Sequence, residues 1–234
     1  MKEQIINEEI ALNSLTNKNL KDVELDNYIN QESTTLISNS QKILNENKHC
    51  EMYFILDDEN NNLRFMIANL QAGFELFSSE FKETAVISVF KDSQSLFKTF
   101  SEFNTEGNNL KKDNGLNKYI IVDGQLGDFD DEIQSSGDKF IYYLMSECKK
   151  NNWDIPYVMG CSADKETNKS IEMHVKLGLA GLPENFRKWE YYLRKENNFD
   201  FNAIPYKTAI EERGNIVNQE CPYYIKILIC FQNR

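Results

Sequence analysis

At 234 residues the chain is long enough for one or two domains and a substantial core. A formal charge of −11 and a pI near 4.8 argue against a nucleic-acid surface, because phosphates would be repelled, and leave room for metal ions or basic partner surfaces. No apolar run approaches the roughly 20 residues of a membrane span, and the N-terminus "MKEQIINEEIALN" is too acidic and polar for a signal peptide, so a cytoplasmic chain is expected.

Residues 1–49 are polar, with isolated aliphatics. Ile29, Leu36, Ile37, Ile43 and Leu44 fall close to a helical stripe, three of them at heptad spacing. This predicts a helical extension of one or two helices that packs on the domain beginning near residue 50 or forms a short coiled coil. "CEMYFILDD" is a first strand ending on Asp57 and Asp58. Leu63, Met66, Ile67, Leu70 and Phe74 then mark an amphipathic helix. "TAVISVF" is a β-branched second strand, and "SQSLFKTFSEF" a second amphipathic helix. After a polar loop, "NTEGNNLKKDNG", comes the third strand, "KYIIVD", which ends on Asp123 and turns at Gly124. "DKFIYYLMSECKKNN" is a helix with lysines in its last turn, where the helix dipole favours them. "IPYVMGCSA" is a fourth strand, and "DKETNKSIEMHVKLG" a helix that Gly178 closes. "LAGL" reads as a very short fifth strand, followed by a helix that starts near Pro183 and turns Phe186, Trp189 and Leu193 inward.

Apolar strands alternating with helices imply a parallel sheet covered on both faces. The expected architecture is α/β: a doubly wound five-stranded parallel sheet over residues 50–196, with a helical N-terminal extension and a C-terminal extension, 197–234. That last stretch holds a candidate strand, "PYYIKILICFQ". An apolar strand at the chain's end fits a piece of something longer, the start of an output region, or a strand that pairs elsewhere. In a doubly wound sheet, function sits outside the carboxyl ends of the strands.

Five scattered cysteines (Cys50, Cys148, Cys161, Cys221, Cys230) show no C-x-x-C spacing, so neither a zinc knuckle nor a disulfide framework is expected. Only His49 and His174 are present, which leaves little for histidine-based catalysis or metal binding. Chemistry therefore falls to carboxylates. Asp57, Asp58 and Asp123 end neighbouring strands, and Ser162 and Ala163 end the next. Three carboxylates brought together repel and invite a hard cation such as Mg²⁺. Each motif also has a plain reading: Asp57 and Asp58 as a turn or helix cap, Asp123-Gly124 as a turn dipeptide, Ser162 as the start of a helix, and the acids at 128–132 as a solvated loop.

The stretches "YFILDDEN", "YIIVDGQLG", "IPYVMGCSAD" and "KLGLAGL", in that order, resemble the receiver domain of two-component response regulators over residues 50–196. The resemblance implies that Asp123 accepts a phosphoryl group from a histidine kinase or phosphotransfer protein. It implies Mg²⁺ held by Asp57, Asp58, Asp123 and the Gln125 carbonyl, with the Ser162 hydroxyl and the Ala163 N–H turned to the phosphoryl group. Two positions depart from the family. Asn185 stands where a receiver has its lysine, with Lys188 a turn further on, and Leu182 stands at the aromatic switch position. These departures keep a pseudo-receiver open, a docking or dimerisation module in which the two extensions build a homodimer or a second lobe. A third reading is an aspartate-nucleophile phosphatase of the haloacid dehalogenase type, which "YIIVDGQLGD" faintly echoes. Motif order opposes it, since that family's nucleophile strand comes first and its paired acids late.

Overall fold

The computed structural model describes residues 2–77, 83–107, 110–127, 136–162 and 164–181. Ala163, the acids at 128–132, Leu182, Asn185, Lys188, the expected helix after Pro183 and the extension 197–234, with Cys221 and Cys230, lie outside the described residues, as does the Phe74 side chain.

Four strands form one parallel sheet: β1 (Cys50–Leu56), β2 (Ala85–Phe90), β3 (Leu116–Val122) and β4 (Tyr157–Gly160), in the order β2-β1-β3-β4. Six α-helices accompany them among the described residues: α1 (Lys2–Leu20), α2 (Ser33–Asn47), α3 (Asn60–Phe77), α4 (Ser93–Glu106), α5 (Gly137–Asn151) and α6 (Lys165–Ala180). Every residue of β1 is buried, as expected of the central strand of a sheet covered on both faces. One face carries Met52, Phe54, Ile120 and Val122 under α2, α4, α5 and α6, with Phe54 at the centre of an aromatic cluster of Phe90, Phe100 and Phe103. The other face carries Tyr53, Ile55 and Ile121 against Leu63, Met66 and Ile67 of α3. This order, reversing direction between β1 and β3, is compatible with a flavodoxin-like sheet, with four strands among the described residues where five were expected.

The fifth strand expected at "LAGL" is not formed as such: Leu179 and Ala180 belong to α6. The reason is the role of two glycines. A Cβ on Gly178 would lie 2.7 Å from the Met145 Cβ and from the Tyr142 carbonyl oxygen, so this glycine serves the close approach of α6 to α5. The terminator is Gly181, at φ +65°, the left-handed C-cap that glycine adopts without strain. Helix α4 likewise runs three residues further than "SQSLFKTFSEF", through Asn104, Thr105 and Glu106 of the expected loop.

The N-terminal residues are built into the same body. Leu36 on α2 is fully buried against the core, and α1 lies along α3, where Thr16 Oγ1 donates to Asn69 Oδ1 at 3.0 Å. Ile29 is not helical, which breaks the heptad reading; it forms a parallel bridge to Val89 at the edge of the sheet. The Asn30 N–H donates to the Val89 carbonyl and the Val89 N–H to the Tyr28 carbonyl, both at 2.9 Å. An edge strand's free donors and acceptors invite pairing with other chains, and this segment covers part of that edge. Among the described residues no helix is long and apolar enough to cross a membrane.

Candidate metal centre

The ladder continues one residue past each strand and fixes where the acids sit. The Asp57 N–H donates to the Phe90 carbonyl, the Asp123 N–H to the Leu56 carbonyl and the Cys161 N–H to the Val122 carbonyl, at 3.1, 3.0 and 3.0 Å. Asp57 and Asp123 therefore emerge side by side at the carboxyl ends of β1 and β3, the pair of strands between which the winding reverses. Carboxylate oxygens of Asp57, Asp58 and Asp123 all lie within 4.8 Å of one another. Asp57 is 1% exposed, Asp123 is half-buried and Asp58 is the most open of the three.

Burial shapes their electrostatics. Asp57 is pushed up to about 7, first by loss of solvation and further by the negative charge of Asp123 and Asp58. The Glu59 N–H, at 2.8 Å from Asp57 Oδ1, and the Asn62 amide at 3.3 Å act the other way without cancelling it. Asp123 is also raised, again first by burial, with the charges of Asp58 and Glu59 adding to the effect. Its carboxylate accepts the Gly124 N–H at 2.8 Å and the Gln125 N–H. Three acids held this close without a cation destabilise each other's charged forms. The donor set, all carboxylate oxygen, suits a hard divalent cation such as Mg²⁺ or Mn²⁺.

The neighbouring loop is positioned in part by Asn168, Gly160 and Gly137, none of which carries a signal in the sequence. Asn168, on α6, clasps the backbone of Ser162: its Oδ1 accepts the Ser162 N–H at 3.1 Å and its Nδ2 donates to the Ser162 carbonyl at 2.7 Å. Gly160 makes room for this clasp, since a Cβ there would lie 2.6 Å from Asn168 Oδ1. The Ser162 hydroxyl accepts the Asp164 N–H at 3.3 Å, and Asp164 caps α6 through the Glu166 and Thr167 N–H groups. Gly124 is required by crowding: a Cβ there would lie 1.9 Å from Thr167 Cγ2, and the Ser162 Cβ is 3.7 Å from the same point. Ser162 thus stands beside the turn that carries Asp123. Gly137, at the start of α5, is the other contact residue; its N–H donates to the Gly124 carbonyl at 3.0 Å, and a Cβ would meet the Asp123 carbonyl at 1.9 Å. A bridge between Gln125 and Ser136 closes the neck of the intervening loop.

Two further residues are settled by burial. The Cys161 thiol is pushed well above its ordinary value by burial, then by the charges of Asp123 and Asp57, which removes the thiolate a reactive cysteine needs. His174 is largely buried between α5 and α6, where Asp138 accepts from Ser170 at 2.6 Å and lies 3.7 Å from the His174 Nδ1.

No protein-family model, curated protein or solved structure matches the chain.

Proposed function

We propose that the chain is a receiver-type phosphoacceptor in a phosphorelay, with Asp123 as the residue modified. The observation that carries this reading is the gathering of Asp57, Asp58 and Asp123 at the reversal point of a β2-β1-β3-β4 parallel sheet. A carboxylate oxygen of Asp123 attacks the phosphorus of a phosphohistidine on a partner protein. The P–N bond breaks, its electron pair leaves with the imidazole, which takes up a proton, and an aspartyl phosphate results. A divalent cation at the three carboxylates and the Gln125 carbonyl would neutralise charge on the phosphoryl oxygens during transfer.

The chain's own groups have defined parts. The Gly124 and Gln125 N–H groups orient the Asp123 carboxylate through hydrogen bonds to it. Asp57, buried and raised to about 7, gives up its proton near neutrality to supply the negative charge that a cation requires. Ser162 exchanges its bond from the Asp164 N–H for one to a phosphoryl oxygen, and the Ala163 N–H assists. A change at Ser162 passes to α6 through the Asn168 clasp, which supplies a route from modification to the helix surface. The proposal is tested by treating the folded protein with acetyl phosphate and Mg²⁺ and weighing it. One added phosphoryl group, absent in Asp123→Asn, is the expected result; addition of the same group to Asp123→Asn would place the modification elsewhere.

A further inference from the structure

Lysine is the wrong residue for its place on β3. Strand β3 alternates, and Leu116, Ile120 and Val122 share one apolar face with Lys118, which is 5% exposed. A buried ammonium is costly unless its donors are matched. Its Nζ donates to Asn104 Oδ1 at 2.5 Å and lies 4.0 Å from Asp154 Oδ2, beyond hydrogen-bond reach. The ring of Phe103 is 5.7 Å away. An ammonium has three N–H donors, so two of the three have no acceptor at hydrogen-bond distance among the described residues.

The amine opens onto space. A cavity of about 390 Å³ lies at the amino-terminal end of the sheet, opposite the three acids, and Lys118, Lys111, Asn104, Asn152, Trp153 and Asp154 are among its walls. Two lysines face one carboxylate there, in a chain whose formal charge is −11. That carboxylate is already engaged, since Asp154 Oδ2 accepts the Lys112 N–H at 2.8 Å. The Asn104 amide is oriented by donating to the Phe100 carbonyl at 2.7 Å, which leaves its oxygen for Lys118. Helices α4 and α5 both end at this cavity, and a lysine could serve their terminal carbonyls. Backbone N–H groups do so instead: Gly107 to Phe103, and Trp153 to Cys148.

We infer that this cavity is a second ligand site, for a small oxyanion such as a carboxylate or phosphate group, anchored by Lys118 and flanked by Trp153. An anion at Lys118 supplies the acceptors that its two remaining N–H groups lack among the described residues, and charge-assisted bonds of this kind are the strong ones. Burial has pushed the amine down to about 8 against the opposing charge of Asp154, with a smaller push from Lys111, and a bound anion acts in the same direction as Asp154. The site is separate from the acids at the other end of the sheet, so the inference does not depend on Asp123 being phosphorylated.

The test uses the whole chain without divalent cations. Inorganic phosphate and succinate are titrated against sodium chloride at matched ionic strength, and the melting temperature is read. A saturable rise beyond that given by chloride is expected, because ligand binding to the native state stabilises it. Lys118→Met keeps the length of the side chain and removes the charge; it should weaken the response by about tenfold or more, the loss expected for hydrogen bonds to a charged group. Asp123→Asn should respond as the wild type does. Should Lys118→Met fold poorly, the wild-type chain still decides. With ¹⁵N-lysine labelling, the Lys118 ammonium resonance should shift saturably with phosphate or succinate, and its titration should move to higher pH. An unchanged response in Lys118→Met, a Lys118 resonance that ignores both anions, or no saturable effect beyond chloride would each overturn the inference.

Discussion

Replacing the most buried acid of the site should make the metal-free protein more stable. Asp57 is 1% exposed, and its value is raised from 3.8 to about 7. Because the folded value lies above the unfolded one, the native state holds a proton between roughly pH 4 and 7 that the unfolded chain releases. Stability therefore falls as pH rises through that window and levels off above it. A shift of this size corresponds to roughly 4 kcal/mol at pH 8, in order of magnitude. Asp57→Asn keeps the oxygen that accepts from the Glu59 N–H and the Asn62 amide, and it places a donor toward the other acids. Urea unfolding in chelator should show the variant more stable than wild type by a few kcal/mol at pH 8. The difference should shrink toward zero near pH 4.5. A difference that does not change with pH, or a less stable variant at pH 8 in chelator, would show that burial and mutual repulsion do not set this site's energetics.

Mg²⁺ or Mn²⁺ should raise the melting temperature of the wild type, more at pH 8 than at pH 6 because Asp57 must lose its proton, and equal stabilisation of Asp58→Ala would show that the cation sits elsewhere. Gly124→Ala should cost about 1–3 kcal/mol through its clash with Thr167 Cγ2, and Thr167→Ser, which lacks that methyl group, should restore most of the loss in a double-mutant cycle. Asn168→Ala should cost about 1–3 kcal/mol by leaving the Ser162 N–H and carbonyl unpaired, and should slow phosphoryl uptake in a single-turnover mass measurement; unchanged uptake would remove Asn168 from the positioning of Ser162.

The strands and the acids at their ends were legible because both signals are local. Apolar runs such as "YFIL" and "YIIV" can be buried in few ways, and a parallel sheet turns the order of such runs into a shared edge. What stayed hidden depends on contacts between distant segments. Gly178 and Gly181 look alike in sequence, yet one makes room for Met145 and the other takes a positive φ, so α6 outran its expected end and absorbed two residues of the expected fifth strand. Ile29 fell on a heptad with Leu36 and Ile43 by spacing alone; its partner, Val89, lies 60 residues away in the chain. The Asn168 clasp and the buried Lys118 carried no periodic signal at all. An asparagine in a polar helix and a lysine at the start of a strand are ordinary until the fold shows what each side chain meets.

Whether Asp123 accepts a phosphoryl group is decided by intact-mass spectrometry. Folded wild-type protein is incubated with acetyl phosphate and Mg²⁺, alongside the same protein in chelator and the Asp123→Asn variant. One phosphoryl group should be added in the first sample only, and it should be lost again under alkaline conditions that cleave an acyl phosphate. No added mass in the folded wild type at any Mg²⁺ concentration would contradict a phosphoacceptor role for Asp123 and favour a docking module that keeps the receiver's acids without its chemistry.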